Sequence, residues 1–541
     1  MTLPPDISVS QWENALAGFR AAIGDAWVFT SDEDVGLYRD AYSPVWGETE
    51  ERLVSAAVAP ASVEEVQAIV RIANQQRIPL YPISTGKNLG YGGSAPNLSG
   101  SVIVDLKRMN RIIEVNDQRN FAVVEPGVSY FDLYEYIQQH KLKVWIDCPD
   151  PGWGSVMGNA LEHGVGHTWG QYRDHFSVHC GLEVVLPDGE LMRTGMGALP
   201  GAQTFADFAY GFGPGVDGLF AQAGFGIVVK MGIHLMPQPE TFLSRHVLVS
   251  RREDLIPLVE IANELEDGGL IGMPLYESPM FKAQFQDQAL REISHSADVW
   301  NGNAINRYAS EKNMPVWSLG LSFYGPGKVT QASWEYAREK IARAIPDARF
   351  EDIETLRFPL DEEQQEKVRH KVLTGIPNMN VFAMTARSQT NPEPADGHLL
   401  FSPMVERSGE AVFKAQRIFT EGMRAMKTEY PDAYGPFTAP FTWFPRIFAM
   451  TTGMPVSRSN PDLNRNSRET MRKLIDLGAE NGYGEYRTPP LFQDQVMGTY
   501  SFNNNILRRF CESLKDAVDP NGIIAPGRGG FWPQSMRGDG S

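Results

Sequence analysis

The chain has little of what three large functional classes require. None of its 541 residues fall in an uninterrupted apolar run approaching the ~18 residues of a membrane-crossing helix. Three cysteines, Cys148, Cys180 and Cys511, are too few and too scattered for a disulfide framework. Lys and Arg number 49 against 66 Asp and Glu, a net charge of −17. No basic cluster interrupts that balance, which excludes a nucleic-acid backbone as partner, because such a backbone is gripped by grouped cations that displace its counterions. Internal repeats, low-complexity tracts and long linkers are also missing. The opening stretch MTLPPDISVSQWENALAGF has neither a basic n-region nor an apolar h-region, so a cytoplasmic protein without a membrane partner is expected.

What is present suits a large globular chain. Its length implies two or three structural units, and its 42% hydrophobic and 11% aromatic residues suffice for ample cores. LVSAAVAP (53–60) reads as a buried strand, and Ser62-Val63-Glu64-Glu65 as a capping box. The helix it opens carries Val63, Val66, Ile69, Val70 and Ala73 on one face. Strands follow at 77–83, 101–106, 120–127 and 226–237, with a hairpin over 180–195 turning at Pro187-Asp188-Gly189. Past Pro237-Gln238-Pro239 the pattern changes to longer amphipathic helices at 252–266, 328–344, 409–427 and 464–480, with strand-like runs SLGLSFYG and HLLFSPMV between them.

Several residues have chemical potential that spacing does not decide. Gly86, Gly90, Gly92 and Gly93, between two strands, are able to expose successive backbone N–H groups to a pyrophosphate or merely to make a flexible connection. The run is neither a dinucleotide fingerprint leading into a helix nor a Walker loop. His163 and His167, and again His175 and His179, stand four residues apart near Cys180, but Gly164 and Gly166 oppose the helix that would aim the first pair at one ion, so no metal site is expected. His398, at the start of a strand, reads as structural or chemical. Tyr486-Arg487 reads as an anion anchor or a surface pair. Asp150, within Pro149-Asp150-Pro151-Gly152, is accounted for by turn chemistry alone.

Taken jointly, the segments YPISTGKNLGYGGSAP, VVEPGVSYFDL, GSVMGNALEHGVG, GLEVVLPDGELMRTGMGALPG, YGFGPGVDGLFAQAGFGIVVKMGIHLMP, GYGEYRTPP and VDPNGIIAPGRGG resemble the vanillyl-alcohol oxidase and para-cresol methylhydroxylase family, on the side of eugenol oxidase and the 4-alkylphenol oxidases. The resemblance implies an α+β fold of two domains. An FAD-binding domain of mixed α/β subdomains (1–240) would be covered by an α+β cap (241–486), with 487–541 returning to the FAD domain. It also implies oxidation of para-substituted phenols through a quinone methide, with O2 as electron acceptor and H2O2 as product. Passage of electrons to a cytochrome or other acceptor is the near alternative. A 2-hydroxy-acid oxidoreductase on a related fold is the remoter one. A homodimer or higher homo-oligomer is implied as well.

Residue by residue, the resemblance puts Ser84, Thr85, Gly86, Lys87, Asn88 and Gly90 in the FAD cradle, with Gly158, Asn159, Gly226 and Ile227 as further cofactor contacts. His398 aligns with the covalent flavin link at the 8α-methyl group, which implies a histidyl-FAD and the oxidase side of the family. Tyr91, Tyr486 and Arg487 match a phenolate anchor. Asp150 matches an aspartate near the flavin N5, and Arg528 a basic residue at the pyrimidine edge. The sequence departs from the family in EHGVGHTWGQYRDHF, where His163 replaces an arginine, His167 replaces a tyrosine, and about two residues are inserted before Asp174-His175. The active-site tyrosine is thereby replaced by His167 or supplied by Tyr172.

Overall fold

The computed structural model describes residues 3–280, 287–295, 302–368, 371–382, 396–426 and 440–537. Its first sheet runs in the order Val28–Phe29, Ala56–Val58, Val102–Asp105, Leu80–Ile83, and the last three strands are parallel. Both faces of Ala56–Val58 and Val102–Asp105 are buried, which explains why they read as continuous apolar runs rather than alternating ones. The crossover helix is Val63–Gln76. Ser62 accepts the N–H of Glu65 at its start, and Val66, Ile69, Val70 and Ala73 are buried against the helix Val9–Ile23.

A second sheet is antiparallel, in the order Ile112–Asn116, Phe121–Val124, Ile227–His234, His179–Val185, Leu191–Arg193. The expected hairpin is there, with Gly189 at φ +84° in its turn, a conformation that favours glycine. The helix Tyr130–Gln139 and the short helix Val156–Leu161 pack on this sheet, and Tyr130, Leu133, Val156, Met157, Leu182 and Met231 share its core.

A third sheet, Leu275–Glu277, Trp317–Gly325, Thr241–Val249, Arg349–Arg357, takes its strand Thr241–Val249 from just after Met236–Pro237, which pairs with Val144–Trp145 in a small ribbon of its own. The helices Leu255–Asp267, Gly327–Ala344 and Gly409–Met426 enclose its core around Val247, Leu258, Phe323 and Phe419. They match the expected 252–266, 328–344 and 409–427 to within three residues. The ribbon Asp396–Phe401 with Thr452–Ser457 lies beside the helix Pro461–Glu480.

The chain then comes back to the first sheet. After the helix Phe502–Val518, Leu80 donates to the Ile523 carbonyl and Ala525 donates to the Leu80 carbonyl, both at 2.7 Å. Lys515 fixes this return: its fully buried Nζ donates to the carbonyls of Gly224 (2.6 Å) and Ile524 (2.5 Å) and pairs with Asp519 at 2.6 Å. The glycine loop, the Gly226 strand and Arg528 thus converge between the two N-terminal sheets.

Candidate active site

The convergence encloses a cavity of about 250 Å³. Ser84, Thr85, Gly86, Lys87 and Asn88 line it from one side, Gly158, Asn159, Gly226 and Ile227 from the other, and Asp150, Arg487 and Arg528 complete the wall. Gly86, Gly90, Gly92 and Gly93 all adopt positive φ. Among the described residues no acceptor takes the backbone N–H of Gly86, Lys87, Asn88, Leu89 or Gly90. A series of unsatisfied N–H groups around a concavity is an anion cradle, so the loop fits the pyrophosphate of a dinucleotide. Gly158 is required by close packing, because a Cβ there would collide with the adjacent Ser84 hydroxyl.

Arg528 is buried, donates to the Tyr81 hydroxyl at 2.8 Å and forms an ion pair with Glu162. Burial opposes its charge, but Glu162 and Tyr81 hold the guanidinium firmly protonated. It therefore brings a fixed cation to the cavity wall. Its partner Glu162 was not among the residues singled out from sequence, because a carboxylate 366 residues away in sequence gives no pairing signal.

His398 lies on the strand Asp396–Phe401, paired with Pro455. Its ring packs against Tyr42 with centroids 5.0 Å apart and abuts Gly90 of the glycine loop. Burial pushes its pKa down to about 4, so at neutral pH the imidazole is uncharged and nucleophilic.

Tyr91, Tyr486 and Arg487 come together from distant segments. The Arg487 guanidinium carbon sits 3.8 Å from the centroid of the Tyr91 ring and 5.8 Å from that of Tyr486. Its Nη1 donates to the Glu162 carbonyl at 3.3 Å, while Nε, also buried, has no partner among the described residues. The Tyr486 ring is walled by Phe444 and Trp443, 5.5 and 6.4 Å away. Burial pushes the Tyr486 phenol well above its ordinary pKa, opposed by Arg487. The cluster therefore has two phenolic hydroxyls and a cation in an aromatic enclosure, a set suited to hold an oxyanion.

Asp150 lines the same cavity, and its Oδ1 is buried without a hydrogen-bond partner among the described residues. Burial raises its pKa, and His167 acts in the opposite direction. His167 has an equally unpartnered Nδ1, and burial holds its ring neutral. Its backbone N–H donates to Asp147 Oδ1 at 3.0 Å, as does that of Thr168 at 2.8 Å. His175 links Asp147 (3.3 Å) to Asn159 (2.5 Å) and Tyr130 (3.0 Å). His167 is thus held next to Asp150, whereas Tyr172 packs against the buried cluster that includes Trp145, Tyr324 and Leu360 and does not line the cavity. The other histidines of the run diverge: His179 faces Asp217 at 3.3 Å and His163 packs on Phe176. Asp147 and Glu485, both buried and both close to this chemistry, escaped the sequence reading because burial of a carboxylate leaves no mark on local pattern.

Comparison with known proteins gives a consistent frame. The family described as FAD binding domain matches residues 54–195. The chain is 32% identical to the 4-cresol dehydrogenase [hydroxylating] flavoprotein subunit of Pseudomonas putida, over 98% of this chain and 97% of that one. It superposes on 4-ethylphenol oxidase from Gulosibacter chungangensis with a TM-score of 0.83 and 36% identity, covering 99% of this chain and 100% of that one. Substrate-bound p-cresol methylhydroxylase gives the same TM-score at 29% identity, covering 99% and 100%. Among the described residues no helix is long and apolar enough to cross a membrane.

Proposed function

The chain belongs to the vanillyl-alcohol oxidase and para-cresol methylhydroxylase family of FAD-dependent oxidoreductases, and we propose that it oxidises para-substituted phenols at the carbon attached opposite the hydroxyl. The substrate class is 4-alkylphenols, 4-allylphenols or 4-hydroxybenzylic alcohols. The observation that carries this reading is the stacking of Arg487 on Tyr91 beside Tyr486, at the end of the dinucleotide cavity that also holds Asp150.

FAD, when bound, supplies the two-electron acceptor for a hydride leaving the para α-carbon. The protein's own groups prepare that departure. Tyr91 and Tyr486 donate hydrogen bonds to the phenol oxygen and Arg487 supplies the charge, so the substrate is held as its phenolate. Electron density from the phenolate oxygen enters the ring as hydride leaves, and the substrate becomes a neutral para-quinone methide. Asp150 stabilises the electron-poor α-carbon and takes a proton from water as its oxygen adds there, or from the side chain, giving an alcohol or an alkene respectively. An alcohol substrate gives the aldehyde. His167, neutral and facing Asp150, stands where it can orient the incoming water.

His398 is the proposed site of covalent attachment to the 8α-methyl group: it is uncharged at neutral pH and lies against the glycine loop. Dioxygen is the proposed final acceptor, taking both electrons and leaving as H2O2, in keeping with a histidyl rather than a tyrosyl link. A screen for peroxide release with 4-ethylphenol, 4-propylguaiacol, eugenol, vanillyl alcohol and a 2-hydroxy acid tests the reading. Peroxide from the phenols and none from the 2-hydroxy acid is expected. Peroxide from the 2-hydroxy acid alone defeats it.

A further inference from the structure

Glu485, immediately before the Tyr486-Arg487 pair, is a further buried ionisable group beside the phenolate anchor. Its side chain is 5% exposed. Both carboxyl oxygens lie 3.0 Å from the backbone nitrogen of Ser402, which donates to them. The Ser402 hydroxyl in turn stands 3.3 Å from the Tyr91 hydroxyl and accepts from Thr451 at 3.1 Å. From the other side, the Tyr500 hydroxyl donates to the Glu485 carbonyl at 2.9 Å. Two backbone N–H groups, those of Ser402 and Arg487, thus serve a carboxyl group that burial has taken out of water, an environment that disfavours its ionised form.

The charges around it do not cancel evenly. The Glu162 carbonyl accepts from Arg487, and the Glu162 carboxylate, ion-paired with Arg528, also favours the Arg487 charge. Arg487, Tyr486 and Tyr500 are the other ionisable groups that act on Glu485, and burial holds both phenols above their ordinary values, so Arg487 supplies the charge. An ionised Glu485 would neutralise the one cation available to a substrate oxyanion. A protonated Glu485 leaves more of that cation's field to an anion bound in the enclosure.

We propose that Glu485 is the positioning residue that sets the charge of the phenol pocket: protonated, it leaves Arg487 to the phenolate; ionised, it competes with the phenolate for Arg487. The inference rests on the phenolate-anchor reading of Tyr91, Tyr486 and Arg487. Burial pushes the Glu485 carboxyl up to about 8, with the Ser402 N–H and Arg487 pulling it down. The switch therefore falls just above neutral pH. Coupling between the two sites is reciprocal, so phenolate binding raises the Glu485 pKa further and takes up a proton.

The probe is 4-nitrophenol, an anion in solution above neutral pH, bound to the FAD-loaded enzyme and followed by difference absorbance. Wild type is expected to lose affinity for the anion about tenfold as pH rises through 8, whereas Glu485→Gln keeps it constant to within twofold. Should the glutamine variant fold poorly, Glu485→Met is equally neutral and carries the same expectation. In wild type, calorimetry in buffers of different ionisation enthalpy should show uptake of roughly half a proton per probe at pH 8, absent in the variant. A merely structural role would change affinity equally at every pH. The same pH break in Glu485→Gln, or no proton uptake in wild type, overturns the proposal while leaving the anchor intact. Equal binding of 4-nitroanisole, which has no oxyanion, overturns the anchor itself and the proposal with it.

Discussion

The imidazole of His398 lies against Gly90: a methyl group on the Gly90 α-carbon would stand 3.3 Å from both its Cδ2 and Nε2. Gly90 has φ +80°, so a side chain there is strained as well as crowded. Gly90→Ala should displace the His398 ring and slow covalent FAD incorporation about tenfold, read as in-gel flavin fluorescence after denaturation. His398→Ala should still bind FAD but release all of it on acid precipitation. Retained colour in that variant would remove His398 from the role.

The pH dependence of attachment follows from the same residue. Burial lowers the His398 pKa to about 4, so the imidazole is neutral, and able to attack, at every pH above that value. FAD incorporation into apoprotein should be flat from pH 8 to about 5 and fall only below. A fall centred near 6.5, the ordinary histidine value, would show that His398 is not the buried neutral group found here.

The phenol end is tested by deleting donors singly. Tyr91→Phe, Tyr486→Phe and Arg487→Met should each lower kcat/KM for 4-ethylphenol on the order of 100-fold or more, the usual cost of removing one preorganised donor to a developing or bound oxyanion. Steady-state kinetics check this. A substrate without a phenol, such as a 2-hydroxy acid, would be indifferent to Tyr91→Phe and Tyr486→Phe.

Asp150 should set the acid limb of turnover. Burial raises its carboxyl pKa, so the group is protonated at pH values where an ordinary aspartate is already a base. Activity therefore falls as pH drops through this raised value, and the limb lies above the ordinary carboxylate range. Asp150→Asn should lower kcat by about 10²-fold or more and abolish the limb in a pH profile of kcat.

The chain's return to the first sheet depends on Lys515. Lys515→Met leaves the Asp519 carboxylate buried without its cation, and breaking such a pair costs roughly 3–5 kcal/mol. Urea denaturation should show that loss, with recovery in part when Asp519→Asn is added.

Much of this architecture was legible in the sequence because it rests on local rules. The parallel strands announce themselves as apolar runs, the Ser62 cap and the Val66 to Ala73 stripe define their helix, and the glycines of residues 86–93 mark a backbone with special φ. The site was legible only through the joint pattern of motifs: Tyr91 is hundreds of residues from both His398 and Arg487, and nothing local in any of them names its neighbours. Glu485, Asp147 and Glu162 were not legible at all. Their importance comes from burial and pairing, which arise when Ser402, His175 and Arg528 are brought to them by the folded chain. His167 was recognisable as a departure, but its ring nitrogen, buried next to Asp150 without a partner among the described residues, is a property of the fold.

The most direct test of the central reading is anaerobic titration of the purified yellow protein with 4-ethylphenol, followed by admission of air. One equivalent of phenol per flavin should bleach the flavin absorbance, and oxygen should restore it rapidly with one equivalent of H2O2. A flavin that stays oxidised in the presence of 4-ethylphenol, but is bleached by a 2-hydroxy acid, would contradict the account.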